Sequence, residues 1–140
     1  MSGMSMHGSD WMPLGGIDQR RLSEARLQAH YAVQWLGRAA RAYVLQSMAE
    51  IWKHLCAGSM ITVSQRISVR VASTNAIHKA RDAVDFAYNA AGATAIFNEN
   101  PFERRFRDIH SVAQQLQGRQ QHFETVGQYL MGLEADTGWL

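Results

Sequence analysis

Ala91-Gly92-Ala93-Thr94-Ala95-Ile96-Phe97-Asn98-Glu99-Asn100-Pro101-Phe102-Glu103-Arg104-Arg105-Phe106-Arg107-Asp108 is the stretch that decides the fold. It reads as the end of one helix, a short loop and the start of the next. Gly92 takes positive φ without steric cost and so ends a helix. Asn100 suits an N-cap, and Pro101 suits the first helical position, where no N–H donor is needed. Glu103 stands where the reciprocal partner of a capping box belongs.

Outward from this junction the apolar residues recur at helical spacing on both sides. Upstream, Val63, Ile67, Val71, Thr74, Ile77, Val84, Tyr88 and Ala91 form one stripe. Thr62 is placed to cap that helix, with Gln65 in the reciprocal position. Further upstream, Leu22, Ala25, Ala29, Val33, Leu36, Ala40, Val44, Met48, Ile51 and Leu55 form another stripe, stopped by Gly58 and Ser59. Downstream, Phe102, Phe106, Ile109, Ala113, Leu116, Phe123, Val126 and Leu130 form a third, interrupted at Gln120. The spacing predicts helices over 18–56, 62–91 and 101–132 in an all-α, antiparallel up-down bundle of three to four long helices. A short fourth helix would come from the leader or the tail. Residues 1–16, rich in Met, Ser and Gly, read as a flexible leader, and 17–140 as the bundle domain.

Composition narrows the function classes. A chain of 140 residues with 46% hydrophobic content can build one cored domain. Two prolines, Pro13 and Pro101, leave the long interval between them free for helices. The net charge of +2 comes from interleaved signs without a basic run, so a nucleic-acid surface is not expected. No apolar run is long enough for a membrane span. One cysteine, Cys56, excludes an internal disulfide and a cysteine-rich zinc site, and fits a cytoplasmic location. Trp35, Tyr43, Trp52, Phe86 and Phe97 fall partly off the main stripes. Apolar surface left over on rigid helices favours self-association as a dimer or tetramer, or docking to another domain.

The candidate sites have competing readings. Arg104, Arg105, Arg107 and Asp108 near a helix start can hold an anion, or can form the solvated i,i+4 pairs Glu103–Arg107 and Arg104–Asp108. Arg104, Arg107 and Asp108 are the candidates for a structural ion pair, with Arg107 able to reach across the bundle or a subunit boundary. The run Gln114, Gln115, Gln117, Gln120, Gln121 reads as surface, although Gln114 and Gln115 can line a polar cavity and Gln120 falls on the apolar stripe. None of His30, His54, His78, His110 and His122 has the helical spacing of a metal motif, so no metal is expected. Glycine-rich nucleotide loops and a GxSxG elbow are absent.

The interval from Pro101 to Arg107-Asp108, following a small-residue turn, resembles the last helical domain of the acyl-CoA dehydrogenase superfamily. Ala80-Arg81-Asp82-Ala83-Val84-Asp85 and Arg107-Asp108-Ile109-His110-Ser111-Val112-Ala113-Gln114-Gln115 are similar to runs in its flavin-dependent monooxygenase branch. The resemblance implies a domain that makes subunit contacts and touches a neighbour's flavin through the loop at Ala91, Gly92, Ala93 and Thr94. It implies FAD or FMN in a longer parent protein, with a flavin reductase as its partner. Dehydrogenases of the family carry a catalytic glutamate eight residues after this Asp, and here that slot is Leu116. The hydroxylase branch often has a histidine at the preceding slot, which here is Gln115, able to hydrogen-bond a flavin or substrate but not to act as a base. The resemblance also implies N-terminal helical and central β-domains that this sequence does not contain, so no catalysis is expected from the chain alone. The other reading is a free-standing bundle for self-association or partner binding.

Overall fold

The computed structural model describes residues 19–138, so the expected leader lies outside the described residues. It contains four α-helices: α1 (Gln19–Cys56), α2 (Val63–Ala91), α3 (Pro101–Ala113) and α4 (Gln121–Leu130). Short 3-10 turns lie at Gly92–Ile96 and Leu116–Gly118. Among the described residues there is no strand, and the all-α class holds.

The boundaries of α2 follow from its ends. The Thr62 hydroxyl oxygen accepts from the Gln65 backbone N–H at 3.2 Å, and Gln65 Oε1 accepts from the Thr62 N–H at 3.0 Å. Two otherwise orphaned donors are thus satisfied reciprocally. At the other end Gly92 has φ 60, and its N–H donates to the Asn89 carbonyl. A side chain there would be strained, so glycine sets the stop. Asn100 occupies the N-cap position of α3 with Pro101 behind it, but the expected capping box does not form. The Asn100 amide instead donates to the Thr94 carbonyl at 2.8 Å, closing the loop, while Glu103 is taken by Arg107.

α2 is the hub. It packs against α1, α3, α4 and both 3-10 turns, whereas among the described elements α1 packs on α2 alone. Among the described residues the buried apolar ones are Ala40, Ile67, Ala72, Ala95, Ala113 and Val126, most of them small. Small side chains let the helix backbones approach closely. Between α2 and α3 the Tyr88 and Phe106 rings meet at 4.5 Å, and Phe106 meets His110 at 4.4 Å.

The expected third helix over 101–132 is corrected by the structure. It ends at Ala113, passes through the turn at Leu116–Gly118 and restarts at Gln121. Gly118 makes the break possible. Its backbone lies so close to the end of α3 that a Cβ would stand 2.6 Å from the Ala113 carbonyl oxygen. The break also explains Gln120: it stands at the exposed N-cap position of a new helix, without a side-chain capping bond, rather than in a continuous stripe.

Two glycine substitutions should therefore have opposite signs. Gly118→Ala forces backbone to move and should cost about 1–3 kcal/mol. Gly37→Ala, in the exposed middle of α1 with nothing within 4 Å of its Cβ position, should stabilise by about 0.5–1 kcal/mol. Chemical denaturation of both variants checks the pair, and a neutral Gly118→Ala would remove the close approach.

Candidate functional site

Side chains from two helices bind the three successive carbonyls of the turn between α3 and α4, the first of which, at Leu116, also accepts from the Arg119 N–H at 3.4 Å. Thr74 Oγ1, fully buried on α2, donates to the Gln117 carbonyl at 2.9 Å. One turn along α2, His78 Nε2 meets the Gly118 carbonyl at 2.9 Å. From α4 the buried His122 Nε2 meets the Leu116 carbonyl. A carbonyl only accepts, so both histidines carry hydrogen on Nε2 and leave Nδ1 as the free ring nitrogen when neutral. The His78 and Phe123 rings, 5.7 Å apart, add a further α2–α4 contact.

Beside this turn opens a cleft of about 660 Å³ lined by His78, Arg81, Ala113, Gln114, Gly118, Arg119, Gln120, Gln121 and Glu124. Three elements contribute: α2 gives His78 and Arg81, the end of α3 and the turn give Ala113 to Gln120, and α4 gives Gln121 and Glu124. The lining is mainly polar. On the other side of the turn a smaller cavity of about 380 Å³ is lined by Ile51, Ile61, Arg66, Val69, Arg70, Ser73 and Gln117.

Each residue singled out in the sequence has a place. Gln114 lines the cleft, as do Gln120 and Gln121, while Gln115 is exposed on the turn and is not part of the cleft wall. Ala91 is half-buried, and Gly92, Ala93 and Thr94 are exposed in the 3-10 turn, where the Thr94 hydroxyl donates to the Ala91 carbonyl at 2.6 Å. That turn and Gln115 lie at opposite ends of the 13-residue α3, about 20 Å apart along its axis. The structure does not bring them together. Small residues and one hydroxyl on an exposed turn can meet one edge of a flavin but cannot enclose it.

Arg104 Nε lies 3.7 Å from Asp108, with both side chains mostly exposed. Arg107 turns back to Glu103 on its own helix at 3.0 Å rather than crossing the bundle. His110 on α3 meets Asp85 on α2 at 2.8 Å, a pairing between helices that spacing along one helix does not reveal. Thr74, His78 and His122 were likewise missed as a group; the available cue was a polar i,i+4 pair on α2 facing a glycine far down the chain. Among the described residues no cluster of three or more His, Cys, Asp or Glu can hold a metal. None of the described helices is long and apolar enough to cross a membrane.

Comparison with known proteins settles the family. The sequence profile for "Acyl-CoA dehydrogenase, C-terminal domain" matches residues 19–119. The chain belongs to this family. Within the acyl-CoA dehydrogenase C-terminal domains it is similar to the indole-3-acetate monooxygenase of Pseudomonas putida, with 29% identity over 103 residues, covering 74% of this chain and 26% of the relative. The indole-3-acetate monooxygenase of Acinetobacter baumannii gives the same identity and coverage. The pigment production hydroxylase of Rhodococcus erythropolis is 32% identical over 74 residues, 53% of this chain and 19% of the relative. This acyl-CoA dehydrogenase C-terminal domain thus spans about a quarter or less of the relatives it matches. Their names agree with the resemblance to the monooxygenase branch.

Two substitutions separate the buried contacts of the domain from the solvated ones. Thr74→Val keeps the shape but leaves the Gln117 carbonyl without its donor, and should cost about 1–3 kcal/mol. Asp108→Ala removes an exposed pair and should cost less than about 1 kcal/mol. Equal losses in urea denaturation would contradict this division.

Proposed function

We propose that the chain is the oligomerisation and flavin-contacting domain of a flavin-dependent oxidoreductase, a monooxygenase component of acyl-CoA dehydrogenase fold, without catalysis of its own. The observation that carries this reading is the outer face of α1. This helix of 38 residues, about 57 Å long, has α2 as its sole partner among the described elements and exposes Leu27, Tyr31, Trp35, Leu45, Met48 and Trp52. Trp35 and Trp52 are 69% and 70% exposed. Met48, Ala49, Ile51, Trp52 and Leu55 form an apolar groove of about 420 Å³ on it. Aromatic surface of this extent on a rigid helix favours a protein partner, and a second copy covers it symmetrically.

In this reading the Gly92 turn presents Ala93 and Thr94 to one edge of a flavin, FAD or FMN, held mainly by other domains of a longer parent protein. The bound flavin would supply the redox chemistry; this chain would supply contact and position. Leu116 cannot take a proton, which argues against acyl-CoA dehydrogenation, and Gln115 offers only hydrogen bonds. The parent protein would draw reduced flavin from a reductase partner. The same α1 face also suits a free-standing bundle used for self-association. An in-frame β-domain coding segment beside Met1 favours the first reading, and its absence the second.

Sedimentation velocity at micromolar concentration should find a dimer or tetramer. Trp35→Glu and Trp52→Glu together should shift it to monomer with helix content retained. A wild-type monomer would sink the oligomerisation role, and turnover of any acyl-CoA with an artificial electron acceptor would overturn the non-catalytic assignment.

A further inference from the structure

The cleft beside the α3–α4 turn is on the other side of α2's packing from the α1 face, and nothing in the proposed flavin contact uses it. Two guanidinium groups line it, Arg81 from α2 and Arg119 from the turn. Arg119 has no side-chain partner among the described residues. Arg81 has a long contact of 3.6 Å to its neighbour Asp82, whose carboxylate is also held by Lys79 at 3.2 Å. Both guanidiniums therefore keep unused donors. Gln114, Gln120 and Gln121 add amide N–H groups on the same wall. The opposing charge is a single carboxylate, Glu124.

We propose that this cleft is an anion-binding site for the carboxylate of a small organic acid. The charge balance selects the class. Two cations and one anion leave the lining one positive charge in excess, which a monoanion neutralises and a dianionic phosphate overshoots. Planar guanidinium matches a carboxylate in a forked pair of hydrogen bonds, and the amides extend the donor set around it. His78 spends its Nε2–H on the Gly118 carbonyl, so its Nδ1 can accept from an N–H or O–H on the same ligand. The clamp formed by Thr74, His78 and His122 on the turn carbonyls thus fixes both the shape of the cleft and the polarity of one ring in its wall. The residues of the site come from three elements of this chain, and the choice of probe rests on the proposed relation to the monooxygenases.

The test is calorimetric titration of the full chain with indole-3-acetate, its neutral isostere indole-3-acetamide and inorganic phosphate. The acid should bind saturably, and more tightly than either of the others. Arg81→Gln and Arg119→Gln should each weaken it about five- to tenfold, while Arg104→Gln on the exposed face of α3 leaves it unchanged. Glu124→Gln should tighten it, a gain that a damaged fold would not produce. Equal binding of acid and amide, no binding of the acid, or tighter binding of phosphate would each overturn the proposal. None of these outcomes bears on self-association, so the failure of one assignment is distinguishable from failure of the other.

Discussion

The structure turns on three hydrogen bonds to the backbone between α3 and α4. A chain that leaves a helix inside a packed assembly strands its last carbonyls, and a buried carbonyl without a donor costs free energy comparable to a lost hydrogen bond. Here Thr74, His78 and His122 meet the carbonyls of Gln117, Gly118 and Leu116. The donors come from α2, which packs across the turn, and from α4, which follows it. Without them the cheaper path would be a helix running straight on from α3, which would carry Phe123 and Val126 away from α2. With them, the chain breaks, α4 returns to α2, and Val126 is buried. The cleft is the space this change of direction opens.

How much of this could be read from the chain follows from where each determinant sits. The limits of α2 were legible because they are local: Thr62 with Gln65 three residues on, and Gly92 at the far end. The all-α class was legible because each stripe persists over many turns. The break in the third helix was not. A single glycine in a helix costs only about 1 kcal/mol, so Gly118 does not announce a stop. What stops the helix is the pair of donors some 40 residues earlier in the chain, at sequence separations of 43 and 40, and no local pattern ties them to it. The glutamine run pointed to the cleft in part, through Gln114. Arg81 and Arg119 were invisible as a pair for the same reason as the clamp: they come from different elements.

The two faces of α2 divide the molecule chemically. On α1 the buried residues described are the small Ala40 and Ser47, and the aromatic residues turn outward. Toward α3 and α4, ring contacts and the buried Ala113 and Val126 are joined by polar, directional bonds: Asp85 with His110, Thr74 and His78 with the turn. An apolar contact tolerates sliding, because burial is roughly proportional to area and has no preferred angle. A hydrogen bond does not, because it weakens steeply away from its preferred distance and angle. The α3–α4 side is therefore held in one arrangement, as a binding site requires, while the α1 side presents a broad surface suited to a partner.

The clamp also explains how a member of this family can depart from the dehydrogenase pattern without losing the fold. Its three donors address backbone carbonyls, not side chains, so the residues at 115, 116 and 117 are free in identity as long as the turn keeps its path. Leu116, in the slot where the family resemblance places a dehydrogenase's glutamate, is partly exposed, and its structural contribution is the carbonyl that His122 binds. Gln115 is exposed beside it. Chemistry at these slots can therefore change from proton abstraction to hydrogen bonding at little structural cost, whereas Gly118 cannot change, because the limit there is backbone against backbone. Constraint lies on the glycine and its donors, and freedom lies on the two slots where enzymes of the family differ.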